Sequence, residues 1–207
     1  MTTRRFFAGG IVVLAATAFG RAPQVGGKFL TIPPNARAVA LADAFGSISG
    51  DTAGMFYNPA SIADLRSARV SALHQEWLFN LRYDLLAFAY PYRQNTIGAS
   101  VALFYDAGVA LYDSFGYERT KASIVDFVGS LSYARRFKNI HIGADVKIVR
   151  SGLAETTEST VAFDVGGLAL LHWRKLYKGR APNVQIGIAF QHLGGKIGND
   201  PLPAQAR

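Results

Sequence analysis

Cysteine is absent from this sequence of 207 residues, so the chain can form neither a disulfide framework nor a cysteine-ligated metal site. Charged residues are also few, at 17%, whereas hydrophobic residues make up 50%. A chain with this balance is not expected to be intrinsically disordered. Beyond the first residues, no stretch is continuously apolar over the roughly 18 residues that indicate a membrane-spanning helix, which excludes the helical class of membrane proteins.

Catalytic signatures are absent as well. The sequence contains no G-x-S-x-G motif, no H-E-x-x-H motif and no phosphate-binding glycine loop. The histidines His74, His141, His172 and His192 are far apart, which favours hydrogen-bonded structural roles over metal binding. His74 and Glu76 are two residues apart and could form either a proton-transfer pair or a structural contact to a plug. We therefore predict no catalytic residue, no metal site and no cofactor, and we do not expect an enzyme.

The positive charge is spread along the chain. The 22 basic residues outnumber the 14 acidic residues and give a formal charge of +8. Basic positions include Arg66, Arg69, Arg82, Arg93, Lys121, Arg135, Lys147 and Lys175. Nucleic-acid-binding proteins more often concentrate such residues in a patch with exposed aromatic residues. The pattern favours contact with anionic lipopolysaccharide and gives no reason to expect a nucleic-acid partner.

Residues 1–18 have the parts of a secretory signal peptide. Arg4 and Arg5 supply the positive region, and an apolar stretch follows them. Ala16-Thr17-Ala18 supplies the small-residue cleavage pattern, and Gly20-Arg21-Ala22 is a second candidate. The apolar stretch is shorter than the roughly 20 residues that an uncleaved bilayer helix needs. We therefore expect a cleaved leader and, with the strands described next, a protein of the bacterial outer membrane.

From about residue 68 onward, hydrophobic residues alternate with a period of two, as in β-strands with two unlike faces. The alternating segments are 69–79, 84–92, 95–105, 124–137, 139–150, 159–173 and 183–193. In the segment 139–150, Ile142 and Ile148 share an apolar face, and Asp145 and Lys147 lie on the opposite face. Most segments are about as long as a tilted barrel strand, which needs roughly 9 to 11 residues, whereas an average strand has about five or six.

These strands predict an all-β fold, an antiparallel transmembrane β-barrel over residues 67–207 with about seven strands present. An odd strand number and the lack of a terminal aromatic strand predict that the barrel is incomplete. We expect His74, Glu76, Asp145 and Lys147 to face the lumen of the barrel. The alternative fold is a soluble β-sandwich, whose strands also alternate.

Aromatic residues near the strand ends are expected to form the interfacial girdles of the barrel. They are Tyr83, Tyr90, Tyr92, Tyr105, Tyr133, Phe137 and Trp173. The short connections at 93–95 and 138–139 suit the periplasmic side, where turns are short. The longer connections at 106–123 and 176–182 suit the extracellular side, where the basic loop 175–180 would face lipopolysaccharide.

Residues 19–66 lack this alternation and are predicted to form a plug. After the break at Pro33-Pro34-Asn35, residues 36–45 have the composition of a short alanine-rich helix. The segment is too small to bury a core of its own, so we expect it to pack inside the barrel. Because Asn58 precedes Pro59, its backbone avoids the α region, and its side-chain amide is free to cap backbone groups in a turn. We hypothesise that Asn58 pins the plug to the barrel wall.

An ordered set of motifs in the plug and the first strands resembles a known family. The motifs are Phe29-Leu30, Ala36-Arg37-Ala38, Ala44-Phe45, Asp51, Phe56-Tyr57-Asn58-Pro59-Ala60, His74-Gln75-Glu76-Trp77, Arg82-Tyr83-Asp84 and Ala87-Phe88-Ala89-Tyr90-Pro91. Together they resemble the N-terminal signature of the PorV/PorQ family of outer-membrane barrels and, more distantly, the FadL family. Residues 39–43 lack the glycines of that signature, which predicts a stiffer helix set further from the wall.

The resemblance implies a role as well as a fold. A PorV/PorQ-type barrel would be a component of the type IX secretion system, handling secreted cargo proteins and contacting other components of that system. A FadL-like barrel would be a channel for hydrophobic small molecules, and a structural barrel without a transport role is the third alternative. The plug and gating residues would be Arg37, Asn58, Pro59 and Ala60. A channel predicts an apolar lumen pocket, whereas a shuttle for cargo predicts large open loops and a free path.

We predict that the mature protein begins near Phe19, because small residues precede the site at which signal peptidase cuts. N-terminal sequencing of the membrane-extracted protein checks this start. A start after Ala22 would select the second cleavage candidate. Material that begins at Met1 would contradict the leader assignment.

Overall fold

The computed structural model describes residues 26–77, 80–106, 108–112, 115, 117–153, 156–172 and 183–207. The predicted signal peptide, Trp173 and the basic loop 175–180 lie outside these ranges. The strands of the described part are β1 (Arg69–Glu76), β2 (Leu81–Tyr92), β3 (Asn95–Asp106), β4 (Val109–Tyr112), β5 (Glu118–Ala122), β6 (Ile124–Phe137), β7 (Ile140–Leu153), β8 (Thr156–Leu171), β9 (Val184–Leu193), β10 (Lys196–Ile197), β11 (Asp200–Pro201) and β12 (Gln205–Ala206).

All described helical elements precede the first strand. They are the α-helix α1 (Ala36–Ala40) and three 3-10 helices at Lys28–Thr31, Thr52–Phe56 and Pro59–Asp64. No helix in the described ranges is long and apolar enough to cross a membrane.

Eight strands form one antiparallel sheet in the order β1-β2-β3-β6-β7-β8-β9-β12. Six of the seven long strands pair with the next long strand along the chain, and the seventh, β9, pairs with the short strand β12. The β4–β5 hairpin lies in the connection between β3 and β6. The ladder between β6 and β7 runs without a register shift from Ile124 opposite Leu153 to Phe137 opposite Ile140. The prediction of an all-β antiparallel fold built on seven alternating strands is confirmed.

Two-residue turns link β2 to β3 and β6 to β7. Arg93 and Lys138, the first residue of each turn, have φ angles of 56° and 46°. Positive φ angles in such turns match the right-handed twist of the paired strands. We call this end of the sheet the turn end, and the opposite end, where β3 finishes and β6 begins, the mouth end.

The two faces of the sheet differ in chemistry: the inner face buries polar and apolar residues together, and the outer face exposes apolar residues. The inner face contacts residues 26–66, which we call the plug segment. Its buried polar residues include Ser100, Ser130, Ser132, Asp145, Lys147, Asp164 and Gln191. The outer face is apolar and exposed, with Leu86, Phe88, Ile97, Val101, Leu131, Ile142, Val146, Ile148, Val161, Phe163, Val165, Ile186 and Ile188.

The prediction that His74 and Glu76 share the inner face with Asp145 and Lys147 is wrong. His74 is paired with Asp84, and residues directly opposite each other in a ladder share a face. Asp84 adjoins Leu85, which is buried against the plug segment, so Asp84 and both predicted residues lie on the outer face. The side chains of His74 and Glu76 are 59% and 65% exposed.

The residues predicted for the girdle do not all lie near strand ends on the outer face. Tyr90, Tyr92 and Phe137 are exposed near the turn end, Tyr133 is exposed opposite Ala144 of β7, and Tyr105 lies near the mouth end. Tyr83 is buried on the inner face, because it is one residue out of phase with the outer-facing positions of β2.

The two long connections leave opposite ends of the sheet, so the prediction that they share one side is wrong. The connection after β3 begins at the mouth end. Leu171 of β8 pairs with Val184 of β9 at the turn end, so β8 finishes and β9 begins at that end. In a sheet whose consecutive strands are antiparallel neighbours, successive connections lie at alternate ends of the sheet, whatever their length.

Candidate functional site

The plug segment approaches the sheet so closely that three inner-face positions of β7, β8 and β9 have no room for a side chain. A Cβ atom on Gly143 would collide with the backbone of Pro59 and Ala60. One on Gly187 would collide with the carbonyl group of Gly46. At Gly166 the obstacle is the side-chain oxygen of Asn58. The glycines thus let the plug segment touch the sheet, although the family-like glycines are missing from residues 39–43.

Asn58 is fully buried at the centre of this contact. Its Nδ2 group donates to the carbonyl oxygen of Gly46 at 2.9 Å, within the plug segment. The same group donates to the carbonyl oxygens of Gly167 in β8 at 3.1 Å and Ile188 in β9 at 3.4 Å. Its Oδ1 atom accepts from the backbone N–H of Ala60 at 3.0 Å, which caps the 3-10 helix Pro59–Asp64. One amide therefore joins two parts of the plug segment to two strands.

The other predicted plug residues divide into two groups. Pro59 and Ala60 are buried and lie against Gly143 of β7. Arg37 is not at the sheet: its side chain is 60% exposed and forms an ion pair with Asp51 at 3.0 Å. It also lies over the ring of Phe45, 5.5 Å from the ring centroid. The structure therefore assigns Arg37 to the internal packing of the plug segment.

The predicted helix 36–45 is shorter in the structure and ends at Ala40. Ala42 and Asp43 adopt positive φ angles of 51° and 63°, which turn the chain out of the helix. The Oδ1 atom of Asp43 then accepts a hydrogen bond from the Tyr57 hydroxyl at 2.7 Å. Burial, with the hydrogen bond to Asp43 second, raises the pKa of the Tyr57 hydroxyl above its usual range. The segment bends where the glycines are missing, so the prediction of a stiff helix is wrong.

A buried ionic cluster lies on the inner face next to the plug segment. Lys147 is 4% exposed, and its Nζ atom is 2.6 Å from Asp164 and 3.8 Å from Asp145. Asp145 also accepts from the Ser132 hydroxyl at 2.7 Å. A buried lysine is tolerated only where its charge is paired. The structure places Asp145 and Lys147 on the plug-facing side, where the sequence predicted them.

Sequence reasoning missed three members of the cluster, and the paired register explains their role. Asp164 stands directly opposite Asp145 and accepts from the backbone N–H of His192 at 2.8 Å. Gln191 donates to the carbonyl oxygen of Phe56 in the plug segment at 2.5 Å and also reaches Asp164, at 3.4 Å. The alternation of a strand shows only which of its own residues share a face, and the register between strands is needed to show that these residues meet.

His74 takes part in a separate cluster on the outer face, near the mouth end. Its Nδ1 atom is 2.5 Å from Asp84, which also accepts from the hydroxyl of Tyr105 at 2.9 Å. Glu76 is further away, at 3.8 Å from His74 Nε2. His74 is thus bonded chiefly to a residue of the neighbouring strand, and it does not contact the plug segment. Within the described ranges, no group of three or more metal-ligating side chains is close enough to hold an ion.

An open pocket of about 660 Å³ lies between the plug segment and the mouth end of the sheet. Its apolar lining comprises Phe29 and Ile32 of the plug segment and Trp77, Phe104 and Ile124 of the sheet region. Its polar lining comprises Lys28, Thr31, Asp126 and Ser151. We call this the mouth pocket. It has the apolar lining and the small number of polar groups that are typical of small-molecule sites.

Comparison with known proteins gives one family match. The model of the uncharacterised protein family UPF0164 matches residues 10–206. Two UPF0164 proteins of Treponema pallidum (strain Nichols) are 23% and 21% identical to this chain over 172 residues. The alignments cover 81% and 78% of this chain but 53% and 42% of the relatives, so the chain spans about half the length of the curated relatives it matches. No solved structure matches.

We predict that Asn58→Ala loosens the plug segment and leaves the sheet folded. The change removes the donor to Gly46, Gly167 and Ile188, and an unpaired buried polar group costs about 1 to 3 kcal/mol. Amide hydrogen exchange should quicken across residues 36–62 while β6 to β8 stay protected. Asn35→Ala is the matched control, because Asn35 caps α1 without contacting the sheet. Equal exchange in both variants would reduce Asn58 to an ordinary turn residue.

We also predict that Lys147→Met destabilises the fold by about 3 kcal/mol, because it leaves two buried carboxylates without their cation. Urea unfolding in detergent measures the loss. The exposed turn residue Lys138 provides the control variant, Lys138→Met, which should cost little. Adding Asp164→Asn to Lys147→Met should recover part of the loss. If both methionine variants have the same stability, the buried ion pairs contribute nothing.

Proposed function

The chain belongs to the UPF0164 family, and we propose that it is an outer-membrane β-barrel protein that takes up hydrophobic small molecules. In this proposal the eight-stranded sheet is part of the membrane wall, its closure requires further strands, and the plug segment lies in the lumen. The observation that carries the proposal is the exposed, apolar outer face of the sheet, opposite an inner face that buries charged residues. Outer-membrane lipid is the partner of the outer face, and lipopolysaccharide is the expected partner at its extracellular rim.

The outer face supports the membrane part of the proposal by its extent. From Ile140 to Ile148 every second residue of β7 is apolar or small and exposed. At about 3.3 Å per residue this run rises roughly 26 Å along the strand, and somewhat less along the normal of a tilted barrel. A barrel's lipid-facing band is about 25 Å tall. Soluble monomers rarely expose contiguous apolar patches above a few hundred Å².

The ends of the sheet support one orientation. The turn end carries the two-residue turns after β2 and β6, as expected of the periplasmic side. Exposed Tyr90, Tyr92 and Phe137 lie near this end, at the position of an interfacial girdle. The mouth pocket would then open toward the extracellular side. In this orientation β8 also ends on the periplasmic side, so the longer connection after β8 starts from the same end as the short turns.

The mouth pocket favours uptake of small molecules over handling of secreted proteins. It combines an apolar lining with a volume of about 660 Å³, which is the size of a drug-like ligand site. A shuttle of the PorV/PorQ type needs a wide path, whereas here Met55 and Ile62 of the plug segment pack against the inner face. The type IX secretion role therefore stays an expectation from the resemblance, and the FadL-like role is the one that we propose.

We predict that Val165→Arg impairs assembly in the outer membrane, and that Ile142→Arg, opposite the exposed Arg135 near the turn end, impairs it less. An arginine that faces mid-bilayer lipid costs roughly 2 to 4 kcal/mol, and one near the interface costs about 0 to 1 kcal/mol. Thr157→Arg is the matched control, because Thr157 is exposed at the mouth end of the same strand as Val165. The yield of folded protein in outer-membrane fractions measures the effect. Equal yields for all three variants would contradict the membrane-wall proposal.

A further inference from the structure

We infer that the mouth pocket selects ligands with a cationic, hydrogen-bond-donating head group, such as an alkylammonium, over ligands with a carboxylate head group. The inference rests on the proposed function, because it concerns the same pocket. It narrows the substrate class from hydrophobic small molecules in general to cationic amphiphiles. The feature that carries it is Asp126, a buried carboxylate in an otherwise largely apolar lining.

Asp126 is held in a fixed position by both neighbouring strands. It lies on the inner face of β6, between Phe104 of β3 and Ser151 of β7 in the strand register. Asp126 is only 7% exposed, and its Oδ1 atom accepts a hydrogen bond from the Ser151 hydroxyl at 2.5 Å. A carboxylate has about four acceptor positions, so it can still accept from a ligand. The carboxylate is therefore preorganised for a donor.

Asp126 also lacks a protein cation. None of the ion pairs in the described part of the chain includes Asp126, whereas Asp64, Asp145 and Asp164 each lie within 4.0 Å of a basic side chain. A buried charge is stabilised when it is paired, and a ligand cation would supply the missing partner. A carboxylate head group would instead place two like charges together, which disfavours its binding.

The aromatic lining suits the same ligand. Trp77 and Phe104 meet edge to face, with ring centroids 6.5 Å apart and planes at 80°. Both residues line the pocket together with Asp126. Aromatic faces attract ammonium groups, and tryptophan does so most strongly. The apolar side chains of Phe29 and Ile32 offer the remaining surface to an alkyl chain.

Lys28 is the alternative partner for a head group. It lines the same pocket from the plug segment, but its side chain is exposed, whereas that of Asp126 is buried. Exposed charges interact through water and contribute little, and buried charges contribute more. An anionic ligand, if one binds, should therefore depend on Lys28, and this dependence separates the two chemistries in an experiment.

The test uses quenching of Trp77 fluorescence by brominated amphiphiles in non-ionic detergent. The chain has two tryptophans, so Trp173→Phe leaves Trp77 as the reporter. A bromoalkylammonium and a bromoalkylcarboxylate of equal chain length are titrated in parallel. We expect the ammonium compound to bind at least tenfold more tightly. Asp126→Asn should abolish this preference, whereas Asp84→Asn, which alters an acid on the outer face, should preserve it.

The outcomes separate the inference from the proposed function. The head-group inference would be overturned if the parent protein bound the carboxylate compound as tightly as the ammonium compound, or more tightly, and Lys28→Gln weakened this binding. Uptake of amphiphiles would then remain in place. Absence of quenching by either compound would overturn both. Because the preference is measured in the parent protein, the test stands even where Asp126→Asn fails to fold.

Discussion

The ammonium group of Lys147 can stay buried only where one side of the sheet is covered and its charge is paired. Asp145 and Asp164 provide the pairing, and the plug segment provides the cover. Removing a lysine and two carboxylates from water is costly, so this side of the sheet cannot be left exposed to lipid. The other side has the opposite chemistry, with valine, isoleucine, leucine and phenylalanine exposed. The polarity of both faces therefore follows from the same strand alternation. In the proposed membrane wall, lipid covers the outer face and the plug segment covers the inner face, which satisfies both.

The contact between plug segment and sheet combines close approach with few strong bonds. Glycines at 143, 166 and 187 allow this close approach. Asn58, Gln191 and the ion pair of Arg136 with Asp64 supply side-chain bonds that cross the contact. Such an interface fixes the position of the plug segment on the sheet, yet only a few hydrogen bonds must break to release the segment. Movement of the plug segment would open the mouth pocket, which it lines with Phe29 and Ile32. In this account, ligand binding at the pocket and the position of the plug segment are coupled through shared residues.

The strands and the polarity of most of them could be predicted from the sequence, because a period of two is a local property. Asp145, Lys147 and Asn58 were also found, the first two by alternation and Asn58 by the constraint of the following proline. The errors arose where the sequence pattern does not show which face of a strand is buried or whether a residue touches the sheet. His74 and Glu76 lie on a strand whose alternation is weak, and Arg37 matched a motif without contacting the sheet.

Other features depend on distances that a sequence does not contain. Asp164, Gln191 and His192 meet Lys147 only through the register of β7, β8 and β9. The mouth pocket forms where the plug segment lies over Asp126 and Trp77, and the sequence does not show this placement. The prediction that both long connections lie on one side of the sheet also failed, because successive connections in an antiparallel sheet alternate between its two ends.

The most direct test of the account is an accessibility scan of β7 with single nitroxide labels in lipid bilayers. The chain lacks cysteine, so each label site can be introduced alone. Labels at Ile140, Ile142, Ala144, Val146 and Ile148 should collide with dissolved oxygen and exclude a polar nickel complex, whereas a label at Val149 should be protected from both reagents. Strong collision of the nickel complex with the labels at Ile142, Ala144 and Val146 would place the apolar face in water and contradict the central claim.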